Sequence, residues 1–234
     1  MTSVRNSRVS KPASRSLPVP NLVGGVSVEE AIAKRRSVRE YASDPITLAE
    51  LSQLLWAAQG VTDARSRHRA SPSAGALYPL ELYAVVGERG VVDLAAGIYH
   101  YSPEDGGMTM VKDGDRSGEL RAAALDQEAV GLAAVNIVTA AIMKRTRSKY
   151  GERGLQYVFQ ESGHAAENVF LQAVSLGLGT VVVGAFNEEE IRSVIGARPE
   201  ERPVYIQSVG VPLRRRVRSE LRRKTLSREP GRHR

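Results

Sequence analysis

The sequence predicts an α+β fold, on the evidence of its length, its apolar content and the order of its periodic segments. The chain has 234 residues, which suits one domain or two small ones. Apolar residues make up 42% of it, enough to form a buried core and to exclude wholesale disorder. Segments with helical and strand periodicity alternate irregularly, without the spacing of βαβ units, and this order is typical of α+β proteins.

Capping signals predict the first two helices. Ser27 precedes two acidic residues, a pattern that predicts a helix through about Lys34. Thr47 begins a capping-box pattern, after which leucines recur at helical spacing up to Gly60. The next residues, 61–71, are polar and basic without any period, and they predict a loop.

Alternating apolar residues predict strands in the middle of the chain. One strand follows Pro79, and the segments 97–103 and 108–114 are expected to pair as a hairpin. A helix is predicted over about 116–130. The apolar run 133–142 favours a buried strand over a helical turn.

The C-terminal half of the predicted domain begins with its longest helix. Apolar residues at helical spacing extend this helix from about Glu152 to Leu176, and the glycines that follow predict a left-handed cap. Residues 180–186 predict a buried strand, 187–196 a short capped helix and 202–212 a final strand.

The charge of the chain is concentrated at its two ends. The formal net charge of the chain is +7. Residues 1–20 contribute +4 and residues 213–234 contribute +8, so residues 21–212 have a net charge of −5. A polyanion-binding body is not expected to be net acidic, and nucleic acid is therefore not an expected partner. The predicted organisation is a flexible basic segment, 1–20, one domain, 21–212, and a basic tail, 213–234.

Several classes of site are excluded by what the sequence lacks. The absence of cysteine excludes disulfides, thiolate zinc sites and cysteine nucleophiles, and it fits a reducing compartment. The four histidines never occur at metal-ligand spacing, and no GxGxxG, P-loop or GxSxG motif occurs. There is no secretory h-region and no run of about 18 apolar residues. These features predict a cytoplasmic protein with no metal and no membrane span.

Three arginines and a serine follow the first predicted helix, in the order Arg35, Arg36, Ser37 and Arg39. Guanidinium groups bind phosphate oxygens in bidentate fashion, and the hydroxyl adds a neutral donor, so the group predicts an anion site. The alternative is that these cations only offset the negative end of the helix dipole. The residue types alone leave both interpretations open.

Two glycine-containing segments could approach a ligand closely. Residues 71–79 place small residues between two prolines, so that their backbone could contact a flat or phosphorylated ligand; the alternative is an ordinary turn before a strand. Gly184 interrupts the apolar segment 180–186, and a glycine inside a strand often marks the close approach of a ligand or another backbone.

Together and in this order, these segments resemble the nitroreductase superfamily of FMN-dependent oxidoreductases. The closest likeness is to the SagB-type (SagB/ThcOx) branch, which includes the azoline dehydrogenases of thiazole- and oxazole-modified peptides. The resemblance covers roughly residues 22–212 and is carried by segments 35–60, 69–86, 97–103 and 149–191. It is specific because several long motifs occur in register.

The resemblance implies a homodimer with a central, mainly antiparallel sheet flanked by helices and with FMN at the subunit interface. Arg35, Ser37 and Arg39 would meet the phosphate, the ribityl chain and the N1/O2 edge of the ring, where reduction places negative charge. The loop at 72–75 would contact the flavin from the other subunit. The implied cofactor-binding residues are Arg35, Arg36, Ser37, Arg39, Pro72, Ser73, Ala74, Gly75, Gly184, Arg214 and Arg216.

Lys149 and Tyr150 fall where azoline dehydrogenases carry a lysine–tyrosine pair implicated in catalysis. Oxidation of an azoline needs hydride transfer to the flavin and loss of a ring proton, which a phenol or an amine could accept. The alternative is that the two residues merely enter the long helix. Ala76 and Tyr78 replace the asparagine and glutamine of classical nitroreductases, which favours the SagB-type branch.

The resemblance therefore implies dehydrogenation of an azoline in a modified peptide, with a cyclodehydratase as a possible partner. One alternative is NAD(P)H-dependent reduction of a nitro, quinone or ene compound by the same flavoprotein. An alternative of a different class is a non-catalytic flavin-binding module whose basic tails attach it to a partner.

Overall fold

The computed structural model describes residues 14–213, which form one antiparallel sheet covered by helices. Within this range the seven strands of the sheet follow the order β1-β6-β5-β4-β7-β9-β8, and every neighbouring pair is antiparallel. These strands are Ser14–Ser16 (β1), Leu80–Val86 (β4), Gly97–Ser102 (β5), Gly107–Asp113 (β6), Val135–Ile142 (β7), Gly179–Val183 (β8) and Glu201–Gly210 (β9). A separate hairpin pairs Val61–Asp63 (β2) with His68–Arg69 (β3).

The helices pack on both faces of the sheet. They are Val28–Lys34 (α1), Leu48–Gln59 (α2), Ser117–Ala123 (α3), Glu128–Leu132 (α4), Met143–Tyr150 (α5), Gly154–Leu176 (α6) and Glu188–Ile195 (α7). Alternate residues of β4 divide between two cores, as the pleat of a strand requires. Leu82 packs in the core that includes α2 and α6, and Tyr83 packs in the core that includes α3 and α7. The predicted α+β class and mainly antiparallel sheet are confirmed.

The predicted caps are present in the structure. The Ser27 side chain accepts from the N–H of Glu30, and Thr47 and Glu50 form the complete capping box. Gly177 ends α6 with φ of +69°. Because a cap depends on residues within one turn of each other, the sequence contains all the information that it requires.

Three predicted elements differ in the structure. Residues 61–71 contain the β2–β3 hairpin instead of an irregular loop. The helix expected over 116–130 is divided into α3 and α4, because Leu125 and Asp126 take left-handed φ angles of 56° and 57°. β8 ends at Val183, so Gly184 follows the strand instead of interrupting it.

The segment after α1 extends the edge of the sheet. The N–H of Val38 donates to the Thr180 carbonyl of β8 at 3.0 Å, and Leu213 donates to the Glu40 carbonyl at 3.2 Å. A Cβ on Gly179 would lie 2.7 Å from Val38 Cγ1, so the close approach of this segment depends on the glycine. The arginine-rich segment is thereby held beside the described end of the chain.

The first residues described belong to the predicted basic segment 1–20. Ser14–Ser16 pair with β6, and the Ser52 hydroxyl donates to the Pro18 carbonyl at 2.6 Å. The domain boundary at residue 21 remains a prediction. Within residues 14–213, no helix is both long and apolar enough to cross a membrane.

Candidate active site

A cationic groove lies where the segment after α1 meets the described end of the chain. It has a volume of about 370 Å³, and residues 36–40, Pro212 and Leu213 line it. Ser37 and Arg39 are exposed there. Among the described residues, no hydrogen bond or ion pair holds the Arg39 guanidinium. This group is therefore available to an anionic ligand.

The neighbouring arginines are already engaged. Arg35 Nε lies 3.8 Å from Glu167 Oε1, and its guanidinium stacks over the Phe170 ring at 5.2 Å. Arg36 donates to the carbonyl oxygens of Ala33 and Arg35 at 3.0 and 2.6 Å. Arg36 thus makes the helix-end contact that the alternative interpretation of this segment expects.

The predicted ligand-contacting loop has a constrained backbone. Gly75, Ala76 and Tyr78 take φ angles of 63°, 53° and 44°. Such angles are unusual for alanine and tyrosine and persist only where surrounding contacts impose them. Two of those contacts are the Arg145 guanidinium, which donates to the Tyr78 carbonyl at 2.8 Å, and Arg69, which lies 4.5 Å from the Tyr78 ring centroid.

The structure brings this loop against the predicted catalytic pair. A Cβ built on Gly75 would lie 2.9 Å from the Tyr150 hydroxyl oxygen and 3.0 Å from Lys149 Nζ. The alternative interpretation placed these two residues at the start of the long helix, but they lie in the shorter helix before it. They end α5, and Gly151, with φ of +58°, separates α5 from α6. Gly75 therefore lies beside the ends of both side chains, and its φ of +63° favours glycine at this position.

Sequence reasoning missed Glu161, the acidic residue of α6 behind this loop. Glu161 is 2% exposed, and its Oε1 atom has no hydrogen-bond partner among the described residues. Burial raises its pKa to about 7, although the contacts with Ser73 and Arg69 lower it in part. The available signal was its position, since Glu161 lies at helical spacing between the apolar residues Val158 and Ala165 of the core-facing stripe.

A second polar pocket of about 380 Å³ lies beside the loop, lined in part by Tyr78, Glu81 and His100. His100 Nε2 is 2.8 Å from Glu81 Oε2, and Arg145 Nη2 is 2.6 Å from Glu81 Oε1. Burial raises the pKa of Glu81, but these hydrogen bonds outweigh it and hold the pKa below the usual value. His100 is thus held in an internal network with Glu81 and Arg145.

The remaining candidate residues are distributed as follows. Pro72 and Gly75 are exposed, and Ser73 and Ala74 are partly buried. Gly184 is exposed directly after β8, with ordinary contact distances to Tyr205. Arg214, Arg215 and Arg216 lie outside the described residues. Most of the described candidate residues therefore lie in two clusters, the groove at Ser37 and Arg39 and the loop beside Lys149 and Tyr150.

These two clusters contact different parts of α6. Arg35, next to the groove, faces Glu167, and Ser73 of the loop faces Glu161. Six residues of helix correspond to about 9 Å along the axis. A cationic groove can bind an anionic group, and a glycine turn with little side-chain bulk can approach a flat one.

Comparison with known proteins identifies the family. The model of the nitroreductase family matches residues 32–211. The protein named "Putative nitroreductase MJ1384" of Methanocaldococcus jannaschii is 47% identical over 185 residues, covering 79% of this chain and 91% of that protein. The chain therefore belongs to the nitroreductase family and is an oxidoreductase.

Further relatives share the fold. The microcin B17-processing protein McbC of Escherichia coli is 26% identical over 149 residues, covering 62% of this chain and 55% of McbC. A nitroreductase-like structure from Ralstonia eutropha matches with a TM-score of 0.74 and 27% identity, over 86% of this chain and 93% of that one.

Two more distant structures match in fold alone. One is the E. coli microcin synthetase McbBCD complex with truncated pro-MccB17 bound, with a TM-score of 0.66, 21% identity, and 90% and 83% of the two chains covered. The other is the NADPH:FMN oxidoreductase of Vibrio harveyi complexed with NAD⁺, with a TM-score of 0.57, 20% identity, and 80% and 69% covered.

The raised pKa of Glu161 predicts a specific dependence of stability on pH. Because the folded state holds this proton more tightly than the unfolded state, stability from this group is lost as pH rises from about 4.5 to about 7. Glu161→Gln mimics the protonated form. We expect its free energy of unfolding, relative to the original protein, to be higher at pH 8 than at pH 5 by about 1–3 kcal/mol. Urea unfolding at both pH values measures the difference, and an equal effect at both would contradict this assignment.

Proposed function

We propose that the chain is an FMN-dependent oxidoreductase that works as a homodimer and dehydrogenates an azoline ring in a modified peptide. The observation that carries this proposal is the position of Lys149 Nζ and the Tyr150 hydroxyl beside Gly75, within about 3 Å of where a Cβ on Gly75 would lie. It brings a phenol and an amine to a loop that the family resemblance assigns to the flavin.

The residues present fit a flavin phosphate and ring. The exposed Arg39 guanidinium and Ser37 hydroxyl supply the donors that a phosphate or a reduced ring requires. Pro72 and Gly75 offer an exposed surface with little side-chain bulk to a flat ring. When bound, FMN supplies the two-electron acceptor that the side chains of this chain lack.

A second copy of the chain is proposed to complete each site. The groove and the loop lie at different parts of α6, and several apolar side chains of α1 and α6 are exposed. Val28 and Ile32 of α1 are 64% and 58% exposed, and Phe159 of α6 is 47% exposed. Gly163, one turn after Phe159, has open space around it. Such a surface fits a symmetric contact between two copies.

In this arrangement, the groove of one subunit binds the flavin and the loop of the other covers it. Lys149 and Tyr150 belong to the same chain as the loop, so they act on the flavin held by the partner subunit. Oxidation of an azoline removes a hydride, which passes to the flavin, and a proton from the ring. The Tyr150 phenolate or the neutral Lys149 amine accepts that proton and releases it to solvent.

Different relatives support different directions of the redox reaction, either oxidation of a peptide or reduction of a small molecule. The likeness to McbC, a microcin B17-processing protein, supports a peptide substrate. The 47% identity to a protein named as a nitroreductase supports the second candidate, NAD(P)H-dependent reduction of a nitro, quinone or ene compound. Because the family consists of oxidoreductases, the non-catalytic flavin-binding module is set aside.

Anaerobic mixing distinguishes the two directions. The flavin of the purified protein is expected to bleach with an azoline peptide, because the ring donates its hydride to the oxidised flavin. Rapid bleaching with NADPH and none with any azoline peptide would contradict the dehydrogenase and support the reductase.

Loss of the free guanidinium at position 39 is expected to weaken flavin binding. Arg39→Ala removes a charge-assisted contact, and we expect FMN affinity to fall at least about tenfold, equivalent to ~1.4 kcal/mol. Fluorescence titration of the flavin measures the change. Arg116→Ala is the matched control, because Arg116 is a surface arginine paired with Glu119. Equal affinity in both variants would refute the role of Arg39.

Removal of the Tyr150 hydroxyl is expected to slow turnover without loss of flavin. For Tyr150→Phe, we expect a decrease in kcat of about 10²-fold, the usual contribution of a proton-transfer group. Tyr157→Phe is the control, because the Tyr157 ring packs edge-on against Tyr150 at 5.1 Å and its hydroxyl accepts from Arg153. Full activity of Tyr150→Phe would return this residue to a structural role.

A further inference from the structure

Arg145 lies on the same helix as the proposed catalytic pair and contacts the candidate flavin loop with its own side chain. Its Nη1 atom donates to the Tyr78 carbonyl at 2.8 Å, and its Nη2 atom lies 2.6 Å from Glu81 Oε1. One guanidinium therefore bridges α5, the end of the loop and β4. The proton transfer proposed above gives this bridge no role.

The acceptor on β4 is itself held in place. Glu81 is largely buried and belongs to a strand that lies between β5 and β7 in the sheet. Its other carboxylate oxygen, Oε2, is 2.8 Å from His100 Nε2 of β5. Arg198 Nη2 is 3.8 Å from Glu81 Oε1, but it pairs more closely with Glu201, at 2.6 Å. Arg145 therefore meets a carboxylate whose position is determined by the sheet.

The acceptor in the loop belongs to a residue with an unusual backbone conformation. Tyr78 has a φ angle of 44°, which a bulky residue adopts only where its contacts impose it. Its N–H donates to Ser73 Oγ at 2.9 Å. The carbonyl of the next residue, Pro79, accepts from the Ile142 N–H at 2.9 Å. Between these two bonds, Arg145 holds the Tyr78 carbonyl and so helps to fix the loop.

Helix α5 depends on such contacts for its position. Among its eight residues, all of which the structure describes, only Thr146 is fully buried, and no side chain caps the N-terminus. Packing of an apolar face, the usual source of helix stability in proteins, therefore contributes little. Residues four apart lie on one face of a helix, so Arg145 and Lys149 project from the same face. That face meets the loop at two points, the Tyr78 carbonyl and the surroundings of Gly75.

We propose that Arg145 is a positioning residue whose guanidinium holds α5 against the loop, so that Lys149 and Tyr150 stay beside the turn assigned to the flavin. This inference rests on the proposed FMN function. The planar guanidinium suits the task, because its two Nη atoms reach acceptors on two different elements. Without it, the pair shifts relative to the loop, and a displacement of about 1 Å can slow a reaction by about 10²-fold.

Removal of this guanidinium is expected to slow flavin reduction while flavin binding persists. For Arg145→Ala, we expect the rate constant of flavin reduction by an azoline peptide to fall at least about tenfold, because the proton acceptors are displaced. We expect the FMN dissociation constant to change less than about threefold, since the donors of the groove, Ser37 and Arg39, lie on another segment. Anaerobic single-turnover bleaching and fluorescence titration measure the two quantities.

Arg147→Ala is the matched control for this variant. Arg147 lies on the same helix, its side chain is exposed to a similar extent, and it pairs with Glu152 instead of the loop. We expect this variant to reduce its flavin at the original rate. A loss equal to that of Arg145→Ala would overturn the proposal, because it would show that any ion pair of α5 has the same effect.

A double-mutant cycle separates positioning from a general structural role. Arg145→Ala is combined with Lys149→Met and Tyr150→Phe, a background that lacks both proton acceptors. If Arg145 acts through this pair, its removal slows flavin reduction in that background by less than about threefold. A loss in the background as large as in the original protein would overturn the proposal, because a general disturbance of the structure slows every variant equally.

Arg145→Lys keeps the inference testable should the alanine variant fail to fold. A single ammonium retains the attraction to Glu81 but lacks the second donor arm, so we expect reduction at least about threefold slower than in the original protein. Full activity of Arg145→Lys or Arg145→Ala would overturn the role of Arg145 and leave the proposed function intact. Full activity of the variant without Lys149 and Tyr150, or no bleaching by any azoline peptide, would instead overturn the proposed function on which the inference rests.

Discussion

The antiparallel pairing of β4 with β7 is the constraint on which the candidate site depends. The register places Leu80 opposite Ala141, and the Ile142 N–H donates to the Pro79 carbonyl at 2.9 Å. The loop before β4 and the helix after β7 must therefore leave the sheet at the same point. This is why a turn near residue 75 and the end of α5, far apart in sequence, come into contact.

The distribution of charge supports this location of the site. The net charge of +7 first suggests a polyanion partner, yet residues 21–212 are net acidic. Within this acidic body, α5 carries Lys144, Arg145, Arg147 and Lys149 and has no acidic residue in its first turn. Arg147 and Lys149 lie in the last turn of α5, where cations favour the helix dipole, and Arg145 and Arg147 form ion pairs with Glu81 and Glu152. Lys149 is the cation of this helix that lies beside Gly75, at the loop that the proposed function assigns to the flavin.

Much of the fold could be predicted because its signals are local. The caps at Ser27, Thr47 and Gly177 involve residues within one turn, and the buried stripe of α6 follows from periodicity alone. The left-handed residues between α3 and α4 were missed, because tertiary packing overrides helical propensity there. Helix α5, which ends before Gly151, was not predicted. Glu161 was missed for a related reason. Its neighbour Ser73 is 88 positions away in sequence, and only the fold brings the two together.

The central claim is that the groove of one subunit and the loop of the other form each site. Mixed dimers of the Arg39→Ala and Tyr150→Phe chains test it most directly. If the residues act across the interface, each mixed dimer contains one intact site, and random mixing should restore about a quarter of the original specific activity. If Arg39 and Tyr150 of one chain serve the same flavin, every site in the mixture has a defect. Activity no higher than that of the separate variants would then contradict the account.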